Sequence, residues 1–350
     1  MMSTNNGNGK AAFEVEATNL RPRWIPTVGY TVQNVLISIG VMIGACASLV
    51  LTCTVVFPLA CIRAMFFSRS SLSLIPSRDS LRRGKVVLIV GASRGMGLEV
   101  LKQYCPEPET TIIAVSKNAD VLRNAIIQMG DTPATLQMET LDLSGSTKSI
   151  ADAVNKLDET YGPISHLYAI ASISNHLNDN TPWNLDVTER MIKVNVSGTV
   201  ALVMAMYERM KTRRYGKICI VGSVAGMFGP ANMISYASTK AFINTFSSSL
   251  RVLASASNVD VITVEPGFID TRMTQKMRGQ GSTVPGGEFA NAETMAEHMK
   301  RAVERGGVGV VAWPVRQSIQ MYALRGLNPI CEEIGRFVSM KARMSGKKIT

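Results

Sequence analysis

The chain has 350 residues, 46% of them apolar, and its 37 lysines and arginines against 26 aspartates and glutamates give a net charge of +11. That length suits one domain with extensions, and the apolar share together with a positive mean hydropathy exceeds what a soluble core requires. The six cysteines show neither disulfide nor metal-ligand spacing, which argues against a cystine-stapled module and leaves no metal site to expect. The basic excess is not read as a nucleic-acid footprint. It gathers beside one apolar stretch and in the tail from Arg325 through Arg336, Lys341, Arg343, Lys347 and Lys348, where anionic headgroups account for it more simply.

Residues 1–27 form a polar N-terminal segment, followed over 28–67 by an expected membrane anchor. No charged residue occurs from Trp24 through Ile62, and Val35 to Phe57 is almost wholly apolar or small, longer than the roughly 20 residues that cross a hydrocarbon core. A cleaved signal sequence would carry a shorter apolar region closer to a basic start. Arg63, Arg69, Arg78, Arg82, Arg83 and Lys85 follow the stretch, against Lys10, Arg21 and Arg23 before it among Glu14 and Glu16. That bias expects a single pass with the bulk of the chain facing the cytosol, the endoplasmic reticulum being the expected membrane. Residues 68–84, rich in Ser and Arg with Pro76, read as a basic juxtamembrane linker.

From 85 to 314 short β-branched apolar runs alternate with amphipathic stretches, which predicts an α/β fold: a doubly wound parallel sheet of about seven strands with helices on both faces. The first run, Val86 to Val90, ends at Gly91-Ala92-Ser93-Arg94-Gly95-Met96-Gly97, and helical spacing resumes at Met96. Strand, glycine turn and helix start make an anion site, because glycine admits close backbone approach and the first helical amides are unpaired. The last strand candidate is Val308 to Ala312, and 315–350 form a basic extension expected to associate with the membrane.

Two segments carry chemistry. Ser223 follows the apolar run Ile218 to Val221, which places its hydroxyl at a strand's carboxyl end, where open α/β sheets bind ligands. Tyr236 and Lys240 lie four apart in a helical stretch and share one face. An ammonium a few ångströms from a phenol favours the phenolate, so Lys240 is expected to lower the pKa of Tyr236 and fit it for proton exchange.

Asn195, Ser223, Tyr236 and Lys240, in order and spacing, resemble the tetrad of the short-chain dehydrogenase/reductase family, and Gly-x-x-x-Gly-x-Gly at Gly91, Gly95 and Gly97 resembles its glycine turn. The resemblance implies that Tyr236 exchanges the proton with a carbonyl or alcohol, Ser223 orients that group, Lys240 also binds the nicotinamide ribose, and Asn195 holds a relay water. It also implies that Asp142 and Leu143 contact adenine, and that Pro266, Gly267 and Thr271 face the nicotinamide carboxamide. Where the family has Asn-Asn-Ala-Gly this chain has Ala169-Ile170-Ala171-Ser172, a departure beside the cofactor. A homodimer is implied as well.

No acidic residue stands about twenty positions past the glycine turn to hold a ribose 2′-hydroxyl; Ser116 and Lys117 stand there, with Arg94 inside the turn beside Ser93. Two cations and a hydroxyl suit a 2′-phosphate, so NADP is expected over NAD. Ile173, Met227, Phe228, Met233, Ile234, Phe268, Met273 and Met277 are expected to line a pocket for a lipophilic substrate. The leading expectation is an NADPH-dependent reductase of a lipophilic ketone or aldehyde. Its rivals are a dehydrogenase of a lipophilic alcohol and a membrane-tethered dinucleotide-binding protein without turnover.

Overall fold

A computed structural model describes residues 26–66, 84–174, 184–230, 233–279 and 289–341. Nearly all of the polar N-terminal segment and of the juxtamembrane linker, and the last tail cations, therefore lie outside the described residues.

Seven parallel strands form one sheet in the order β3-β2-β1-β4-β5-β6-β7. They are β1 (Lys85–Val90), β2 (Thr110–Ser116), β3 (Thr135–Thr140), β4 (His166–Ala169), β5 (Gly216–Val221), β6 (Val259–Pro266) and β7 (Val310–Trp313). The chain works outward from β1 to β3, then returns past β1 to start β4. That reversal opens a crevice at the strands' carboxyl ends, the place where such sheets take ligands. The last strand starts later than the sequence suggests, because Gly307 and Gly309 take φ of +64° and +72°, which extended backbone excludes.

Side chains of β1 alternate between two cores. Val86, Leu88 and Val90 join one, and Val87 and Ile89 the other, which explains why the strand is apolar throughout. The first core is closed by α5 (Thr147–Tyr161), α7 (Thr199–Arg213) and α8 (Ile234–Ser255), the second by α3 (Gly95–Tyr104), α4 (Ala119–Met129) and α10 (Ala292–Arg305). The short helices α6 (Leu185–Met191) and α9 (Arg272–Gly279) flank the crevice.

Ahead of the sheet, α1 (Val28–Leu51), a π-helical turn (Thr52–Val56) and α2 (Phe57–Phe66) form a continuous rod. Its apolar portion, Val28–Ile62, has 35 residues and none of its most apolar window is buried in the protein. The hydroxyls of Ser38, Thr52 and Thr54 donate to carbonyls one turn back, so they would leave no bare donor in lipid. At its start, Asn34 Oδ1 accepts from the Ile330 amide at 3.3 Å and Ser38 Oγ accepts from Asn328 Nδ2 at 2.8 Å. Two further helices, α11 (Val315–Leu324) and α12 (Pro329–Lys341), follow the sheet.

Candidate active site

The crevice holds a cleft of about 410 Å³. Of the residues singled out from sequence, Gly91, Ser93, Arg94, Gly95, Met96, Lys117, Asp142, Leu143, Ala171, Ser223, Tyr236, Lys240, Pro266, Gly267 and Thr271 line it; Gly97 and Asn195 stand behind its wall.

The glycine turn is shaped for a phosphate backbone. Gly91 and Ala92 both donate to the Val115 carbonyl, at 2.8 and 3.0 Å, and Gly91 takes φ +103°. A Cβ on Gly97 would collide with the Gly91 carbonyl, and one on Gly91 with the Ala171 amide. The turn is thus pressed between α3 and the segment after β4, and only glycine permits it. Arg94 caps α3 in an extended conformation with no side-chain hydrogen bond to the helix, which leaves the first amides facing the cleft. These residues fit the pyrophosphate of a dinucleotide.

The departure at Ala169 to Ser172 is compensated locally. Ile170 and Ala171 both donate to the Val90 carbonyl, at 3.1 and 2.9 Å. Asn195 grips the next residue from behind: its Oδ1 accepts from Ile173 N–H at 2.8 Å and its Nδ2 donates to the Ile173 carbonyl at 2.9 Å and to Thr239 Oγ1 at 3.2 Å. Both amide hydrogens are committed, so the side chain braces the wall and has no donor left for a relay water. It does so from a π-helical turn, Ile192–Gly198, a local widening that recurs at functional sites.

Ser223, at the end of β5, is buried; its Oγ donates to the Pro266 carbonyl at 3.3 Å and accepts from Ala225 N–H at 3.1 Å. Its backbone is pinned by Asn244, which accepts from Ser223 N–H at 3.2 Å and donates to its carbonyl at 2.9 Å. Sequence reasoning missed Asn244, although it lies one turn beyond Lys240 on the same helix face.

Tyr236 and Lys240 face the cleft together from α8, with the Lys240 Nζ 5.8 Å from the phenol ring centroid and 2.9 Å from the Val221 carbonyl to which it donates. The expected direction of tuning is reversed. Burial pushes Tyr236 up to about 12, against which the hydrogen bond with Ser223 pulls the other way. Burial also lowers Lys240 to about 8. Tyr236 keeps some exposure at the cleft floor, yet the loss of water dominates, opposed only by the Ser223 hydrogen bond. The phenol rests neutral.

At the adenosine end, Lys117 and Asp142, given separate roles from sequence, form an ion pair at 2.8 Å. Asp142 also accepts from Ser144, and although burial opposes ionisation, these bonds hold its carboxyl below the usual range. Arg272, missed from sequence, lines the cleft near Arg94, whose guanidinium is weakened first by burial and then by this like charge. Of the expected substrate residues only Ile173 and Met273 line the cleft. Met277 is buried, Ile234 is exposed, Phe268 packs on Phe289, and Phe228 lies beneath Arg336 of α12. Adjacency to catalytic segments could not reveal that a C-terminal helix covers one of them.

Residues 85–281, more than half of the chain, match the model of the short chain dehydrogenase family. A dehydrogenase/reductase SDR family protein 7-like of Anopheles gambiae is 28% identical over 259 residues, 70% of this chain and 80% of the relative. The 3-oxoacyl-(acyl-carrier-protein) reductase of Escherichia coli (strain K12) is 29% identical over 222 residues, 61% of this chain and 87% of the relative. Among solved structures, a short-chain dehydrogenase from Sphingobium yanoikuyae in complex with NADPH superposes with a TM-score of 0.58 at 22% identity, covering 69% of this chain and 92% of that one. An NAD+-bound xylitol dehydrogenase does so with 0.57 at 21%, covering 66% and 98%, so structural likeness does not choose between the two dinucleotides. With the glycine turn, the serine, the tyrosine and the lysine gathered on one crevice, the chain belongs to the short-chain dehydrogenase/reductase family of nicotinamide-dependent oxidoreductases.

Proposed function

We propose that this protein is an NADPH-dependent reductase of a lipophilic ketone or aldehyde, anchored to a membrane by its apolar N-terminal helix. The observation that carries the reading is the convergence of Ser223, Tyr236 and Lys240 on the cleft floor. A neutral phenol is a proton donor, the form that a reductive step consumes. A bound reduced nicotinamide supplies the hydride; the chain's residues supply the rest. Ser223 presents its hydroxyl to the carbonyl oxygen, Tyr236 donates its proton to that oxygen, and Lys240 holds positive charge beside the phenolate left behind.

The preference for NADPH rests on charge. Arg94, Lys117 and Arg272 line the cleft, and β2 ends in Ser116, whose Oγ donates to Ser93 Oγ at 3.0 Å, with no carboxylate on that strand end. Asp142 occupies Lys117, which leaves Arg94 as the main partner for a 2′-phosphate. The lipophilic substrate is supported by Ile173, Met191, Val194 and Met273 along the cleft, and by a helix that keeps the chain where such molecules partition. A carbonyl substrate agrees with the 3-oxoacyl reductases among its relatives.

The test is nucleotide oxidation by purified protein with a panel of hydrophobic carbonyls. NADPH is expected to outperform NADH in kcat/KM by at least about tenfold, and Arg94→Ala to erase most of that gap, since a charge-assisted hydrogen bond is worth roughly 1.5–3 kcal/mol. Equal use of both nucleotides removes the preference, and tight NADPH binding without oxidation by any carbonyl supports a non-catalytic protein instead.

A further inference from the structure

The sheet's last strand ends at Trp313, yet among the described residues two helices follow it and reach the active-site loops. Helix α11 lies on the loop that leaves β6. Gln317 Oε1 accepts from Phe268 N–H at 2.7 Å, and a Cβ on Gly267 would collide with that same oxygen. Tyr322 donates its hydroxyl proton to the buried carboxylate of Glu265, one residue before Pro266, and Gly267 N–H donates to the Trp313 carbonyl at 2.9 Å. The gripped backbone then serves the catalytic serine directly, because Ser223 Oγ donates to the Pro266 carbonyl.

Helix α12 lies on the other loop. Its Arg336 sits 5.0 Å over the Phe228 ring, donates to the Gly229 carbonyl and is steadied by Glu332 one turn earlier. Gly335 brings the helix backbone against the same ring, where a Cβ would stand 3.1 Å from Phe228 Cζ. Arg325, which closes α11, reaches Met227 Sδ with its Nη1 at 3.6 Å. Met227, Phe228 and Gly229 follow directly on the short helical turn Val224–Gly226 that Ser223 caps. The loop after β6 is therefore held by α11, and the loop after β5 by α12 with the end of α11 packed beside it.

We propose that the C-terminal helix pair is a positioning device for the active site, Gln317 setting the cofactor-side loop and Arg336 the substrate-side loop. Neither residue lines the cleft, so each acts through the loop that it holds. A loop displaced by a fraction of an ångström costs binding or rate on the order of tenfold. Gln317 and Arg336 set different constants: Gln317 the affinity for nucleotide, Arg336 the affinity for carbonyl substrate.

This inference rests on the reductase reading, and the experiment separates the two. Full-length protein carrying Gln317→Met, Arg336→Met or Arg336→Lys is compared with wild type in NADPH Kd by nucleotide fluorescence, in carbonyl KM and kcat at saturating NADPH, and in thermal unfolding. Gln317→Met is expected to raise the NADPH Kd roughly tenfold with carbonyl KM within about twofold of wild type. Arg336→Met is expected to raise carbonyl KM roughly tenfold with NADPH Kd unchanged, and Arg336→Lys, which keeps the cation and donors, to recover most of the loss. Should Gln317→Met fail to fold, Tyr322→Phe removes one oxygen from the same grip and is expected to raise the NADPH Kd alone. Unchanged constants overturn the proposal, and so does a parallel rise of both in step with lost thermal stability. A wild type that reduces no carbonyl sinks the reductase reading, while the NADPH Kd of the Gln317 variant still decides the role of α11.

Discussion

Tyr236 and Lys240 share a helix face and both lose solvent, and burial moves each toward its neutral form. The consequence is a pH dependence set by the lysine. Below about 8 Lys240 carries its proton and can support a phenolate beside it; above that value it is neutral and the support is lost. Reductive turnover at saturating nucleotide is expected to stay level from about pH 6 to near pH 8 and to decline above it, which a rate profile in that direction reads directly. A rate that climbs through the same range would contradict the assignment. Tyr236 and Lys240 were readable because they stand four apart on one helix face, and Ser223 because it stands two residues past β5, whereas Asn195 was legible only through the family resemblance. Asn244 and Arg272 were not, since their value depends on what stands across the cleft, and the pKa direction was not, since burial is a property of the folded site.

The strand–turn–helix element from β1 to α3 was readable almost residue for residue, because an apolar β-branched run, glycines and resumed helical spacing each have a local cause. Its tightest point is Gly97, where any side chain would meet the Gly91 carbonyl. Gly97→Ala must push the turn open, and it is expected to abolish measurable NADPH binding and to lower the thermal midpoint, the cost of forced overpacking being roughly 1–3 kcal/mol. Wild-type affinity in that variant, by titration calorimetry, would show that the turn has room to give. Helices α11 and α12 were the least readable elements. Gln317, Tyr322 and Arg336 are engaged with active-site loops, contacts that no sequence period announces, and Arg343, Lys347 and Lys348, expected to meet a membrane, lie outside the described residues.

At the scale of the molecule, the face opposite the cleft carries a partly buried polar network. Glu304 accepts from Lys85 at 2.8 Å and from Tyr104 at 2.9 Å, its carbonyl accepts from Lys217 at 2.8 Å, and His166 lies nearby, its Nε2 without a hydrogen-bond partner among the described residues. Burial lowers His166 to about 3, so below its ordinary value of 6.5 the unfolded chain takes up a proton that the native protein refuses. Stability therefore falls as pH drops through that window. Glu107 acts the same way lower down: burial opposes its charge, but Lys300 and Lys85 outweigh it and bring it to about 2, so its contribution is complete above 4.5 and fades toward 2. Urea midpoints are expected to fall steadily from about pH 7 to pH 4, with His166→Leu flattening the upper part of the slope. A midpoint indifferent to pH would refute this.

The apolar rod poses the second question at this scale. The catalytic unit joins it after Phe66, so a helix crossing along Val35 to Phe57 places Asn34 on the opposite face from that unit. The bonds from Asn34 and Ser38 to Ile330 and Asn328 instead dock the same end laterally, and one chain cannot satisfy both. The flanking charges favour the crossing. In sealed vesicles, Ser38→Cys with Asn328→Cys is then expected not to crosslink, and a tag ahead of Thr27 to resist protease added on the catalytic side. Efficient crosslinking with both ends digestible would establish the docked arrangement.

The claim on which everything else depends is that Tyr236 delivers the proton that completes carbonyl reduction. It is tested most directly by comparing wild type with Tyr236→Phe in both NADPH binding and NADPH oxidation on a hydrophobic carbonyl that the wild type reduces. The expected result is a loss of roughly 10²–10⁴ in kcat with the NADPH Kd within about twofold of wild type. Turnover that survives the loss of the hydroxyl would contradict the account.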